Sequence, residues 1–172
     1  MESDTRAAKR IGDFGQGLVT YALIRKGFQV ACVDDIGADL IAAGRGKRYA
    51  VSVKARLFRP GSKESRVTVI EKEHLRKLGV FADRFGMDPL LAQVVCLADD
   101  ARIHLFLFRV EQLGDVLPAV KNGFSIRFGR ANLAALIAHP AVEYSCWREE
   151  LVVGSWFEGN GTMTPADARP SG

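Results

Sequence analysis

Cysteine is scarce in this chain of 172 residues: Cys32, Cys96 and Cys146 are far apart and odd in number. They form neither a disulfide framework nor a zinc ligand set, so a reducing, cytoplasmic setting is the expectation. Long apolar runs are missing too. Leu105-Phe106-Leu107-Phe108 is strand-sized, well short of the ~20 residues that span a bilayer, and no membrane role is expected. The start, Met1-Glu2-Ser3-Asp4, is polar and lacks the apolar stretch of a signal peptide. The three histidines, His74, His104 and His139, have no H-E-x-x-H spacing, which argues against a zinc hydrolase. Gly12-Asp13-Phe14-Gly15-Gln16-Gly17 is glycine-rich but lacks the Lys-Ser/Thr of a phosphate loop, so nucleotide binding is not expected. No internal repeat is visible.

What is present is a globular composition, 48% hydrophobic and 26% charged, which excludes a disordered or fibrous chain. The length suits one domain, read as residues 1–157. Residues 158–172 are rich in Gly, Pro and small side chains without periodicity and are expected to be a disordered tail. The net charge of +4 hides an asymmetry, because residues 1–80 carry a balance of +7 and residues 81–172 one of −3. Much of the excess lies in Arg45, Lys47, Arg48, Lys54, Arg56, Arg59, Lys63 and Arg66, faced only by Glu64. A basic stretch of this kind suits a polyanion, with DNA the expected partner through phosphate neutralisation. A charge run alone is more often a solvated loop, so the residues around it decide the matter.

Apolar residues at Ile11, Phe14, Leu18, Val19, Ala22 and Leu23 predict a helix over Arg6 to Lys26, ended by Gly27. Strands are expected at Phe28–Val33, Asp39–Ala43 and Tyr49–Arg56, the last two joined by Gly44-Arg45-Gly46-Lys47. In the third strand Tyr49, Val51 and Val53 alternate with Ala50, Ser52 and Lys54. A short extended piece (Arg66–Ile70) precedes a helix over Glu71 to Phe85. Strands at Ala92–Ala98 and Arg102–Val110 follow, then a helix within 110–120, another at Arg130–Ala138, and a last strand within Val142–Val153 with Trp147 buried. This order argues an α/β fold with a mixed central sheet.

Ser52 and Lys54, two apart on a strand, face the same way, and Asp39 begins the strand across the hairpin. A carboxylate beside a lysine is what metal-assisted phosphodiester cleavage needs. Each residue also has an ordinary reading: a turn cap for Asp39 and an edge-strand guard against aggregation for Lys54.

On Gly37-Ala38-Asp39-Leu40-Ile41 and Val51-Ser52-Val53-Lys54, set in a helix–β-meander–helix order, the sequence resembles the PD-(D/E)xK nuclease superfamily. The resemblance covers roughly Ile11 to Val110. It implies a restriction-endonuclease-like αβββαβ core, mixed central sheet flanked by helices, and DNA cleavage dependent on Mg²⁺ or Mn²⁺. Asp39 matches the metal-binding aspartate and Lys54 the motif lysine. Ser52 stands where the family usually has Glu, Asp or sometimes Gln, and Gln16 where many relatives place a glutamate. Some restriction endonucleases of the superfamily share the Ser-x-Lys strand and draw their glutamate from the following helix. Here Glu71 is that candidate, for catalysis and for the metal, with Glu73 behind it; both also suit a helix N-terminus on dipole grounds alone. Because two commonly acidic positions are neutral, a nucleic-acid-binding module without the chemistry is the alternative. A small interaction protein with no nucleic-acid role is the third reading. Double-strand cleavage needs two sites, which allows a homodimer, although no seam is readable.

Overall fold

The protein is described by a computed structural model covering residues 5–59, 66–98 and 100–148. The expected tail at 158–172 and the loop residue Lys63 lie outside the described residues. The first helix, α1 (Thr5–Arg25), runs to Gly27, whose φ of +85° turns the chain into the sheet. Strands β1 (Gln29–Asp35), β2 (Ala38–Gly44) and β3 (Lys47–Phe58) form the antiparallel meander. Then come β4 (Val67–Glu71), α2 (Lys72–Phe85), β5 (Asp88–Leu97) and β6 (Arg102–Arg109). A 3-10 turn (Val110–Gln112) leads to α3 (Leu113–Val116), β7 (Ala119–Val120), β8 (Gly123–Arg127), α4 (Arg130–Ala138) and β9 (Val142–Arg148).

The central sheet has the order β1-β2-β3-β5-β6-β9, and only β3 and β5 pair in parallel. That is the mixed sheet expected, with α2 as the crossover between its parallel strands. The alternation in β3 sorts its residues between two cores. On one face Val51 and Ala55 join Leu40, Ala92, Val94 and Leu105 beneath Val19, Ala22 and Leu23 of α1. On the other, Ala38 and Ala50 pack under Leu78, Phe81 and Ala82 of α2. Farther across that face Leu91, Phe106 and Phe108 meet Ile70, Ile126, Phe128 and Leu136. Each Val, Leu, Ile or Phe among them contributes about 1.5–3 kcal/mol when fully buried.

Three features depart from the sequence reading. A second sheet, β4-β8-β7, covers the Phe106–Phe108 core; its β7–β8 hairpin turns at Lys121-Asn122, and the Asn122-Gly123 signal marks it. β5 begins at Asp88 instead of Ala92, because Pro89 lies just outside the β5–β6 ladder, which starts at Leu90, where a missing N–H is tolerated. Trp147 is half-buried, since β9 is an edge strand covered on one flank only.

Candidate active site

The approach to Asp39 is built by the β1–β2 turn. Gly37 has a φ of +122°, and a Cβ there would lie 2.6 Å from the Lys77 carbonyl oxygen of α2, so only glycine lets the turn dock under the helix. Ala38 is buried against α2, and Asp39 follows, half-buried. The β2–β3 ladder runs from Gly44 opposite Lys47 to Leu40 opposite Val51. Just past its end, the Asp39 carboxylate takes over as acceptor. Its Oδ2 receives the Val53 backbone N–H at 2.6 Å and the Ser52 hydroxyl at 3.4 Å. Oδ1 takes neither donor, so half the carboxylate remains for another partner. The Val53 bond has the short length of a strong charge-assisted bond, and the Ser52 contact is a longer, weaker one.

Ser52 is buried and is spent on orienting Asp39. Lys54, two residues on, is half-buried on the same side of β3, and among the described residues its ammonium makes no ion pair. Its backbone carbonyl is held from the next strand: Gln93 Nε2 donates to the Lys54 oxygen at 3.2 Å. Gln16 reaches the site through the main chain, its Nε2 donating to the Asp39 carbonyl at 3.5 Å. α1 can lie this close because Gly15 has no side chain; a Cβ there would sit 2.6 Å from Ala55 Cβ. Asp39 and Ser52 are thus in direct contact, Gln16 reaches the Asp39 main chain from α1, and Lys54 follows two residues after Ser52 on β3. Gln93 was missed by sequence reasoning, although a lone amide inside Leu90–Leu97 is a signal that could have found it.

The glutamates of α2 have other partners. Glu71 precedes the helix, is exposed, and lies 3.9 Å from His74 Nδ1. Glu73 accepts two bonds from Arg76 at 2.8 Å each, and that guanidinium holds its carboxyl down at about 2. Among the described residues no three His, Cys, Asp or Glu side chains converge in a metal-sized cluster. Asp39 is therefore the carboxylate on which a cation site at β2–β3 would rest.

The basic segment is continuous in sequence but divided in space. Arg45, Lys47 and Arg48 sit at the β2–β3 hairpin, with Arg45 in the left-handed region at φ +53°. Arg56 and Arg59 follow Lys54 at the other end. Six residues of extended chain separate Arg48 from Lys54, roughly 20 Å. Arg66 begins the approach to β4.

Neither a family model nor a curated protein sequence matches the chain. Among solved structures, it is similar to Hjc, a Holliday junction resolvase from the archaeal hyperthermophile Archaeoglobus fulgidus, solved at 1.6 Å. The two superpose with a TM-score of 0.50 at 19% identity, over 68% of this chain and 84% of the resolvase. The likeness establishes the architecture alone: a restriction-endonuclease-like α/β fold with a mixed sheet flanked by helices.

Proposed function

We propose that the chain acts on DNA as a divalent-metal-dependent, endonuclease-like protein that hydrolyses phosphodiester bonds at Asp39 and Lys54. The observation that carries this reading is the Asp39 carboxylate, fixed by Val53 N–H and Ser52 at the end of β2–β3, with Lys54, which makes no ion pair among the described residues, two positions on from Ser52. Hard carboxylate oxygen suits Mg²⁺ or Mn²⁺, and Mg²⁺ is commonly held by one or two carboxylates with water and substrate phosphate completing its shell. Asp39 Oδ1 is the first ligand in this reading, and Glu71 would serve as the second acid only by leaving its place beside His74. Such an ion, when bound, supplies charge at the scissile phosphate and an acidified water.

The rest belongs to the chain. Val53 and Ser52 hold the Asp39 carboxylate in one orientation, so it needs little reorganisation when a substrate arrives. The Lys54 ammonium stands ready to neutralise a phosphate oxygen and orient the attacking water, a role that the absence of an ion pair leaves open. Gln16 secures the Asp39 main chain. Arg56 and Arg59 take phosphates next to the site, while Arg45, Lys47 and Arg48 reach a more distant stretch of the same polyanion, and Lys63 and Arg66 are further phosphate partners in this reading. The resolvase likeness, which is a likeness of fold, agrees with DNA as the partner.

Nicking of supercoiled and branched DNA with Mg²⁺ or Mn²⁺ tests this. The expected result is cleavage that falls by at least about 100-fold in both Asp39→Asn and Lys54→Ala. Nicking unaffected by Lys54→Ala would sink the assignment. A second reading, a binding module on the same fold, is favoured by the single carboxylate at β2–β3. Tight, steeply salt-dependent DNA binding with no hydrolysis under any divalent ion would select it.

A further inference from the structure

In β5 the run Leu90-Leu91-Ala92-Gln93-Val94-Val95-Cys96-Leu97 is wholly buried, and Gln93 is 0% exposed. Its carboxamide orientation follows from its partners. The nitrogen donates to two carbonyl oxygens, Lys54 at 3.2 Å and Val94 at 3.1 Å, so the hydrogens must be at that end. The other end, Oε1, is buried and accepts nothing among the described residues. A methionine would fill nearly the same volume and leave no bare acceptor, at the loss of the two bonds that the amide nitrogen donates, so the bare Oε1 offsets part of what those bonds contribute. Of the two bonds it makes, one is to its own neighbour, and the other crosses to the residue laterally opposite it in the parallel ladder, Lys54. On its other flank stands Phe106, which offers the amide nothing.

The place is also where β3 most needs support. Its pairing with β2 runs only as far as Val51, so from Ser52 onward that flank is held by the Asp39 carboxylate, a side chain doing the work of a strand. On the opposite flank the parallel ladder with β5 runs unbroken from Tyr49 to Phe58, and Gln93 adds a side-chain bond to it at Lys54. We propose that Gln93 is a positioning residue for Lys54, fixing through its carbonyl the point at which the lysine leaves the sheet. This rests on the reading of Lys54 as the lysine of the site.

Gln93→Met tests the idea by separating stability from activity. Its melting temperature is expected to equal or exceed wild type, its affinity for duplex DNA to stay within about twofold, and its single-turnover nicking rate to fall at least about tenfold. Unchanged nicking overturns the proposal. So does a variant that melts lower or fails to fold, because the amide would then serve the core. If wild type nicks no DNA, the functional reading fails on its own, and Lys54 is examined without substrate. Acylation of Lys54 by an N-hydroxysuccinimide ester, relative to Lys47 on the same strand, should differ at least about threefold between wild type and Gln93→Met, as a side chain no longer pinned at its root explores more space. An unchanged ratio overturns the proposal.

Discussion

At the hairpin end of β3, Arg45 lines a groove of about 640 Å³ together with Lys26, Phe28, Tyr49, Arg109 and Glu143. Away from the hairpin, Asp39 on β2 and Ser52 and Lys54 on β3 lie on the opposite side of the sheet. The groove has volume, cations and an aromatic pair, Phe28 and Tyr49, with ring centres 5.7 Å apart. Its one acid, Glu143, is already bound to Lys26. The other end has what the groove lacks: a carboxylate held by a backbone N–H and a hydroxyl, near a lysine that makes no ion pair among the described residues. Concavity and charge indicate where an anion can rest. Chemistry needs groups whose orientation is fixed beforehand and whose valences are not spent.

The largest expected effect that separates the two ends concerns DNA binding. Replacing Arg56 and Arg59 together by Ala should weaken affinity for a duplex of about 30 base pairs roughly tenfold and lower the log–log salt slope by about two. Replacing Arg45 and Lys47 instead should weaken binding to that duplex, yet leave affinity for one of about 12 base pairs within about twofold, because a short duplex seated at Lys54 does not reach the hairpin. Fluorescence anisotropy across a salt series measures both. Equal losses on the short duplex would show that the two ends act as one patch.

A middle-sized effect concerns how closely α1 approaches the site end. Gly15→Ala should destabilise by roughly 1–3 kcal/mol in urea unfolding, because the added methyl meets Ala55 Cβ and pushes the helix off β3. Gly12→Ala on the same helix meets nothing within 4 Å and should stabilise by about 0.5–1 kcal/mol through helix propensity. If the two substitutions moved stability alike, α1 would not be seated on Ala55 through Gly15.

The smallest effect belongs to the sheet's far edge, away from both ends. His104 is buried, with Nδ1 2.9 Å from the Tyr144 hydroxyl, and desolvation pushes its pKa down, with Asp100 opposing. The folded value lies below the unfolded one. Stability is therefore complete above about pH 6.5, where both states are neutral, and declines as pH falls from there toward the folded value, where only the unfolded chain gains the proton. The slope should not exceed about 1.4 kcal/mol per pH unit, and it should vanish in His104→Gln. Urea midpoints between pH 7.5 and 5 would reveal it; a midpoint that rises on acidification contradicts the burial argument.

Much of the core was legible in the sequence. The alternation in β3, the apolar stripe of α1 and the glycines at 27 and 86 are local signals, and the helices and meander stand close to where those signals put them. The β7–β8 hairpin was missed because its strands are two and five residues long, too short for periodicity to register. The start of β5 was missed because Pro89 disqualifies a strand only where its nitrogen must donate, and pairing decides that. Asp39, Ser52 and Lys54 were readable as a set, since two-residue spacing on a strand and a hairpin between strands are both sequence properties.

Composition, spacing and alternation by themselves determined an α/β domain with a basic first half and an Asp-Ser-Lys constellation on adjacent strands, because each depends on residues near one another along the chain. The tertiary structure alone decided that Asp39 spends one oxygen on Val53 and Ser52, that Gln93 holds Lys54 from a strand 39 positions away, and that one basic run serves two places. Of the basic run only the spatial division is an outcome of the fold, and all these outcomes depend on register and on which elements pack together. A hydrogen bond between distant residues exists only once the whole sheet has assembled and removed the competing water.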